Sequence, residues 1–271
     1  MHALLFKAAL AVYFISTLGY VTSLIVRRVA VAKVSTWILT LAFAIHAASL
    51  AVCYIETGHS PAIEVHDTIS FFAWVMTGIY LLFQLITKTR VLGAFVSPVV
   101  FVIMVAASTG AGTPVSVSPA LQGGLVAVHV ILSVAGEALF VVASTAGAMY
   151  LIQDGFLKKR RTMGYSSFLP SLRDMDRINH ICLLWGFPLL TLGILAGSVW
   201  ARTVWGSHWQ WDPKQIWALI VWLSYAILLH QRLAIGWKGR KAALYSVMAF
   251  VILLASLAVF MGFFPSAHSF V

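Results

Sequence analysis

Long apolar runs separated by short polar breaks fill this chain, without the residue-by-residue alternation of a barrel strand. A helical membrane span needs about 20 apolar residues, so the runs predict helices. Eight are predicted, at 4–26, 36–55, 68–87, 91–109, 121–152, 178–200, 214–235 and 242–263. The fifth is long enough to project beyond a bilayer. The longest polar stretch, 153–177, includes Lys158, Lys159, Arg160 and Arg161. No repeat, low-complexity tract or second soluble domain shows, so residues 1–271 read as a single all-α polytopic membrane domain.

Composition agrees with that pattern. Of 271 residues, 61% are hydrophobic and 10% charged, against about 25% charged in soluble domains. The net charge of +10 would point to nucleic acid in a soluble protein. Here position explains it. Fifteen of the eighteen Lys and Arg residues fall on one side of the predicted bundle; Lys7, Arg202 and Lys214 are the others. Lys/Arg excess marks the cytoplasmic face, which puts both termini outside, makes membrane lipid the surrounding partner and leaves nucleic acid without a role. Cys53 and Cys182 form no CxxC pair and sit in different apolar runs, so no thiol redox chemistry is indicated. The first apolar run is followed by Arg27 and Arg28 and has no A-x-A-like site, which reads as a retained anchor.

This orientation sends the Glu56–Asp67 loop, the 110–119 turn, the Trp200–Lys214 segment and the tail after Phe264 to the outer face. Trp200, Trp205, Trp209, Trp211 and Trp217 fall within eighteen residues. An interfacial belt accounts for one or two such residues at a helix end, not for a whole aromatic loop. Trp205 and Trp209, four apart, share a face if the loop is helical, giving a platform for a planar apolar ligand. Asp212-Pro213-Lys214-Gln215 reads as a helix start, with Asp212 as N-cap, Pro213 at N1 and Gln215 completing a capping box.

Histidine inside a bilayer is expensive and is a functional candidate by default. His129 lies in the outer part of the fifth helix, with Glu137 deeper on the same broad side. It is either half of a self-satisfied His–Glu pair or a metal ligand. His268, in an aromatic tail, lies on the same outer side, and the two could hold one iron from opposite faces. His230 is about 22 Å down the seventh helix from its outer start. His46 is near the middle of the second, at a somewhat different depth. His2, His59, His66, His180 and His208 sit at termini, interfaces or loops, where solvation accounts for them.

Together these residues resemble one family. Trp205-Gly-x-x-Trp209-x-Trp211-Asp212-Pro213-Lys214 is similar to the WWD motif of the haem-handling superfamily. The Asp-Pro-Lys ending followed by Trp217 looks like the CcsA (ResC) branch of cytochrome c biogenesis System II. So do Leu169-Pro170-Ser171-Leu172, Asp176-Arg177, the Gly186–Gly193 run and Gly197–Ala201. Gly58-His59-x-Pro61, Leu121-Gln122, Leu229-His230-x-Arg232 and His268-Ser269 add to it. The resemblance implies that haem b is carried outward, reduced, and presented to an apocytochrome c bearing a CxxCH segment, with a CcsB/ResB-type membrane partner. It implies a cytoplasmic or thylakoid membrane, and a role as the haem-delivering subunit of a holocytochrome c synthase. It implies that His129 and His268 ligate iron beside the Trp205–Asp212 loop. By the same resemblance, His230 belongs to an inner site whose opposite ligand is in the partner, with His46 at most a substitute. The family's loop after Gly-His-x-Pro carries an Asn and a Tyr-Glu pair; here Glu64 and His66-Asp67 stand there. Some superfamily members serve haem-synthesis enzymes instead. From the residues alone, a small-solute transporter and a structural assembly subunit remain alternatives.

Overall fold

The computed structural model describes residues 1–58, 64–87, 90–109, 123–158 and 170–258. Among them are eight α-helices: α1 (His2–Val26), α2 (Val29–Thr57), α3 (Val65–Thr87), α4 (Gly93–Ser108), α5 (Gly124–Lys158), α6 (Leu172–Trp205), α7 (Pro213–Leu233) and α8 (Arg240–Ala258). A 3-10 turn, Arg90–Leu92, leads into α4. Seven of the described helices, α1 to α7 with the 3-10 turn counted into the fourth (Arg90–Ser108), are long and apolar enough to cross a membrane, which makes this an integral membrane protein. The predicted end of the eighth, at 263, lies outside the described residues.

Several boundaries differ from the predicted ones. α2 begins at Val29 rather than 36, because Arg27 at φ 56° makes a left-handed turn and the next helix starts almost at once. α6 runs from Leu172 to Trp205, a turn or more past both predicted ends. Its start is fixed by Ser171, whose hydroxyl accepts the Asp174 N–H at 3.1 Å. Its end is fixed by Gly206 at φ 74°, whose N–H donates to the Arg202 carbonyl at 3.0 Å. At 35 and 34 residues, α5 and α6 are each about 51–52 Å long, well beyond a hydrocarbon core of about 30 Å.

Successive helices alternate in direction. The N-terminal ammonium meets Glu56 at the end of α2 at 2.8 Å, closing one face of the bundle, here called the N-terminal face. The opposite face is closed by Asp154 of α5 with Arg240 of α8 at 3.6 Å, and by Asp176 of α6 with Arg232 of α7 at 3.0 Å. Arg27, Arg28, Arg90, Lys158, Arg173, Arg177, Lys238 and Lys241 also fall at that opposite face.

The tightest packing is between α5 and α6. His129, Ser133, Gly136 and Phe140 line one side of α5, at helical spacing. Gly197, Gly193, Leu190 and Gly186 meet them in antiparallel order. A Cβ at Gly136 would lie 2.7 Å from the Leu190 nitrogen, and one at Gly186 would lie 2.8 Å from the Phe140 ring. At Gly193 it would come within 2.8 Å of the Ser133 nitrogen. Small residues at such a seam let backbones approach closely, and dispersion and hydrogen bonds then hold helices that lipid would otherwise solvate equally well.

Toward the opposite face, polar side chains tie four helices together. Arg232, with its side chain 3% exposed, donates to Asn179 Oδ1 at 2.9 Å, Asp176 Oδ1 at 3.0 Å and His180 Nδ1 at 3.3 Å. Asp176 also accepts the Gly239 N–H at 2.9 Å, at the entry to α8. The Asn179 amide donates to the Ala143 carbonyl of α5 and to Ser246 Oγ of α8, at 2.7 and 2.8 Å. Every arm of Asn179 is thus used, as a buried amide requires. Removing Arg232 leaves the partly buried Asp176 carboxylate without its counter-charge and the buried Asn179 carbonyl without its donor, so Arg232→Ala is expected to destabilise the fold by about 3–5 kcal/mol. Lysine should rescue little, because it lacks the planar fork that reaches three acceptors. Thermal unfolding in detergent measures this; a loss under about 1 kcal/mol would contradict the network's role.

Candidate functional site

The C-terminal end of α6, at the N-terminal face of the bundle, carries the most developed chemistry. His129 lies across the α6 backbone, and its Nδ1–H donates to the Gly193 carbonyl at 2.7 Å. A carbonyl only accepts, so this bond fixes the tautomer: the proton is on Nδ1 and the lone pair on Nε2. Gly197 makes room for the ring, since a Cβ there would lie 2.6 Å from Nδ1 and 2.7 Å from Cε1. A histidine with Nδ1–H anchored to a carbonyl and Nε2 left basic is the arrangement of an oriented metal ligand. Of the two readings of His129, the His–Glu pair finds no support, because the anchor is the Gly193 backbone and not Glu137.

One turn beyond Gly197, α6 carries the tryptophans. Trp200 is buried and packs edge-on against Trp205 at 5.3 Å between ring centroids. Trp205 is the last residue of α6, so the loop proper is only Gly206–Asp212. That segment is not helical, and Trp205 and Trp209 therefore do not form the flat platform their spacing suggests. Trp209 instead packs edge-to-face against Trp211, at 5.6 Å and 89°. Trp211 is 75% exposed and adopts φ 54°, a left-handed conformation unusual for so bulky a residue. Such strain persists only where the surroundings hold it and concentrates at functional sites. The Trp209 indole Nε1–H is buried without a hydrogen-bond partner among the described residues.

The loop is pinned at both ends. Asp212, 4% exposed, caps α7 by accepting the Lys214 N–H at 2.9 Å. Pro213 takes the first helical position, as expected. The capping box closes differently from the expected form: Gln215 Oε1 accepts from the Gln210 N–H at 2.8 Å, holding the loop rather than the cap residue. His208, which the sequence left as a solvated loop residue, docks the loop back on α6. Its Nδ1–H donates to the Ser198 carbonyl at 3.1 Å and its Nε2 faces Arg202 Nη1 at 3.5 Å. Ser198 and Arg202 are four apart and present one face to the loop, but nothing in the sequence links them to His208. Gly193, Gly197, Ser198, Trp200, Arg202 and the loop thus bring His129 and the tryptophans onto the same end of α6.

The other candidates lie elsewhere. His230 is exposed near the end of α7, toward the opposite face. His46 is fully buried among α1, α2 and α3, with Nδ1 3.3 Å from the Tyr13 hydroxyl and Nε2 2.8 Å from Ser70 Oγ. Both of its ring nitrogens are occupied, which gives it a packing role. His268, His59, Pro61, Leu121, Gln122 and Leu169 lie outside the described residues. No group of three or more His, Cys, Asp or Glu side chains placed to hold a metal ion occurs among the described residues.

Two outcomes are expected from the geometry. Asp212→Ala should cost about 1 kcal/mol in thermal unfolding, as loss of an N-cap does. Gly197→Val should force the His129 ring off its seat. In a spectrum with nitrogen-15-labelled histidine, the fixed Nδ1–H signal should give way to exchanging tautomers. A variant that keeps the single tautomer would refute the seat.

The comparisons agree with this architecture. The family model for the cytochrome c assembly protein matches residues 62–262, most of the chain. The chain is 34% identical over 212 residues to the cytochrome c biogenesis protein CcsA of Chlamydomonas reinhardtii, covering 75% of this chain and 58% of that one. To CcsA of Gloeothece citriformis it is 30% identical over 258 residues, covering 76% and 77%. To CcsA of Microcystis aeruginosa it is 29% identical over 254 residues, also covering 76% and 77%. The chain thus spans little more than half of the algal relative and about three quarters of the cyanobacterial ones. A solved structure, cytochrome c heme lyase CcmF, shares the fold with a TM-score of 0.65 at 19% identity, over 94% of this chain and 46% of that one. The chain belongs to the cytochrome c assembly protein family and is a CcsA-like cytochrome c biogenesis protein.

Proposed function

We propose that this chain carries haem b across the membrane and presents it, reduced, to an apocytochrome c with a CxxCH segment, beside a CcsB/ResB-type membrane partner. Haem is here the cargo. The observation that carries the reading is the His129 seat: a neutral imidazole with its lone pair fixed on Nε2, on the same end of α6 as the tryptophan loop. His268 is the second axial ligand. The indole N–H of Trp209, with Arg202 and Lys214, supplies donors and positive charge for the propionates. Two neutral imidazoles hold iron without leaving a position for oxygen. When bound, haem supplies the vinyl groups that the acceptor's cysteine thiols join as thioethers. The chain has no CxxCH of its own, so the acceptor cysteines come from elsewhere.

In this reading α8 is the eighth span and both termini lie outside. The cations gathered at the face opposite the N terminus support that orientation. His230 serves an inner site, and its exposure on α7 suits a ligand whose opposite partner is another chain. Because both nitrogens of His46 are occupied, the partner is the better source of that second ligand.

Reporter fusions after residues 60, 115 and 207 are expected outside, and those after 30, 89, 165 and 239 inside; an inside signal at 207 would overturn the placement of the loop. His230→Gly should lower co-purified haem, with partial recovery in imidazole. The double variant His129→Gly, His268→Gly should remain in the membrane yet abolish cytochrome c maturation, with imidazole restoring part of it. Maturation at the normal rate in that variant would leave the tryptophan loop as a docking surface only.

A further inference from the structure

At the loop end of α6, an arginine faces a histidine without a carboxylate to join them. His208 is tied to α6 through Ser198. Its Nδ1–H donates to the Ser198 carbonyl at 3.1 Å, and its own carbonyl accepts the Ser198 hydroxyl at 3.4 Å. A carbonyl only accepts, so the ring proton is on Nδ1 and Nε2 is the nitrogen that titrates. Nε2 lies 3.5 Å from Arg202 Nη1, a long contact that holds only while Nε2 is an unprotonated acceptor. Both side chains are exposed. Among the described residues, no carboxylate comes within ion-pair distance of either. Asp212 and Lys214, the other charged groups of the loop, lie together at the start of α7. On the α5 side, His129 is turned to the Gly193 carbonyl. A histidine kept only to pin the loop needs Nδ1 alone, and an asparagine amide would serve. The second nitrogen adds a proton-dependent charge beside a permanent one.

We infer that His208 and Arg202 form a site for one porphyrin propionate, and that filling it places one proton on His208 Nε2. The inference rests on the haem reading above and adds a regulation to it. Ser198 follows Gly197, which seats the His129 ring, and Trp209 follows His208, so the pair adjoins the residues of that reading. With the site empty, a proton on Nε2 sets like charges against each other and is disfavoured. A carboxylate between the two groups reverses this: it accepts from the guanidinium and from Nε2–H, both charge-assisted bonds. The proton comes from water on that face and returns to it when the propionate leaves. Only hydrogen bonds are made and broken, and no electron moves. Binding that takes up a proton strengthens as pH falls and weakens as pH rises. Protonation of an iron ligand acts in the opposite sense, because imidazole binds metal in its neutral form. A porphyrin without metal therefore separates the two effects.

The test titrates the full chain in detergent with metal-free protoporphyrin IX at pH 8 and at pH 6, followed by quenching of tryptophan emission. The dimethyl ester of the same porphyrin is the probe without carboxylates. Uptake of one proton caps the change at about a hundredfold over this range, and wild type is expected to gain about fivefold or more in affinity at pH 6. Ester affinity should agree between the two pH values within about twofold. His208→Asn keeps a donor for the Ser198 carbonyl but has nothing to titrate, so its protoporphyrin affinity should also agree within about twofold. Arg202→Gln should bind protoporphyrin about threefold more weakly than wild type at pH 8, as loss of an exposed charge pair does. Wild-type affinity that is the same at both pH values overturns the site, and so does a gain that the ester or His208→Asn shares. The wild-type and ester titrations decide the matter even where a variant fails to fold. Iron protoporphyrin IX is titrated alongside at pH 7. Its binding, together with a flat protoporphyrin profile, overturns this site alone; binding of neither porphyrin overturns the haem reading as well.

Discussion

The contact on which the rest depends is the close approach of α5 to α6. In lipid, no hydrophobic force draws two apolar helices together, so association has to come from dispersion at short range and from polar bonds. Gly136, Gly186 and Gly193 remove the side chains that would hold the backbones apart. That closeness has a chemical consequence at Gly197, where the same absence of a side chain seats the His129 ring within reach of the Gly193 carbonyl. One seam therefore joins the helices and sets the tautomer of the histidine.

The two ends of this helix pair are held by different means. Toward the N-terminal face, the α6–α7 loop is short, strained at Trp211 and pinned by Asp212, Gln215 and His208. Toward the opposite face, Arg232, Asp176 and Asn179 bind α6, α7 and α8 into one unit with α5. Rigid anchoring at both ends suits a site whose ligands need fixed geometry, with second-shell bonds orienting the first.

The helices were legible in the sequence because apolar length is a strong and local signal. Their ends were not, because caps such as Ser171 and Gly206 act through backbone conformation at single residues. In the sequence His129 stands out by its depth and the tryptophans by their density. A four-residue spacing gives Trp205 and Trp209 a shared face only in a helix, and α6 ends at Trp205, so that condition is not met. The Arg232 network escaped notice, although a lone arginine at the end of an apolar helix is a signal in itself. Its partner Asp176 is 56 positions away, and only the fold brings them together. His46 shows the converse: depth alone marked it, yet Tyr13 and Ser70, from two other helices, satisfy it.

The central claim is that an imidazole held in this way serves haem. The absorption spectrum of the wild-type chain, purified from haem-replete membranes and then reduced, tests it most directly. The account predicts co-purified haem with the sharp, split visible bands of a low-spin iron between two imidazoles. A wild-type protein that is folded, present in the membrane and without a haem spectrum would contradict it.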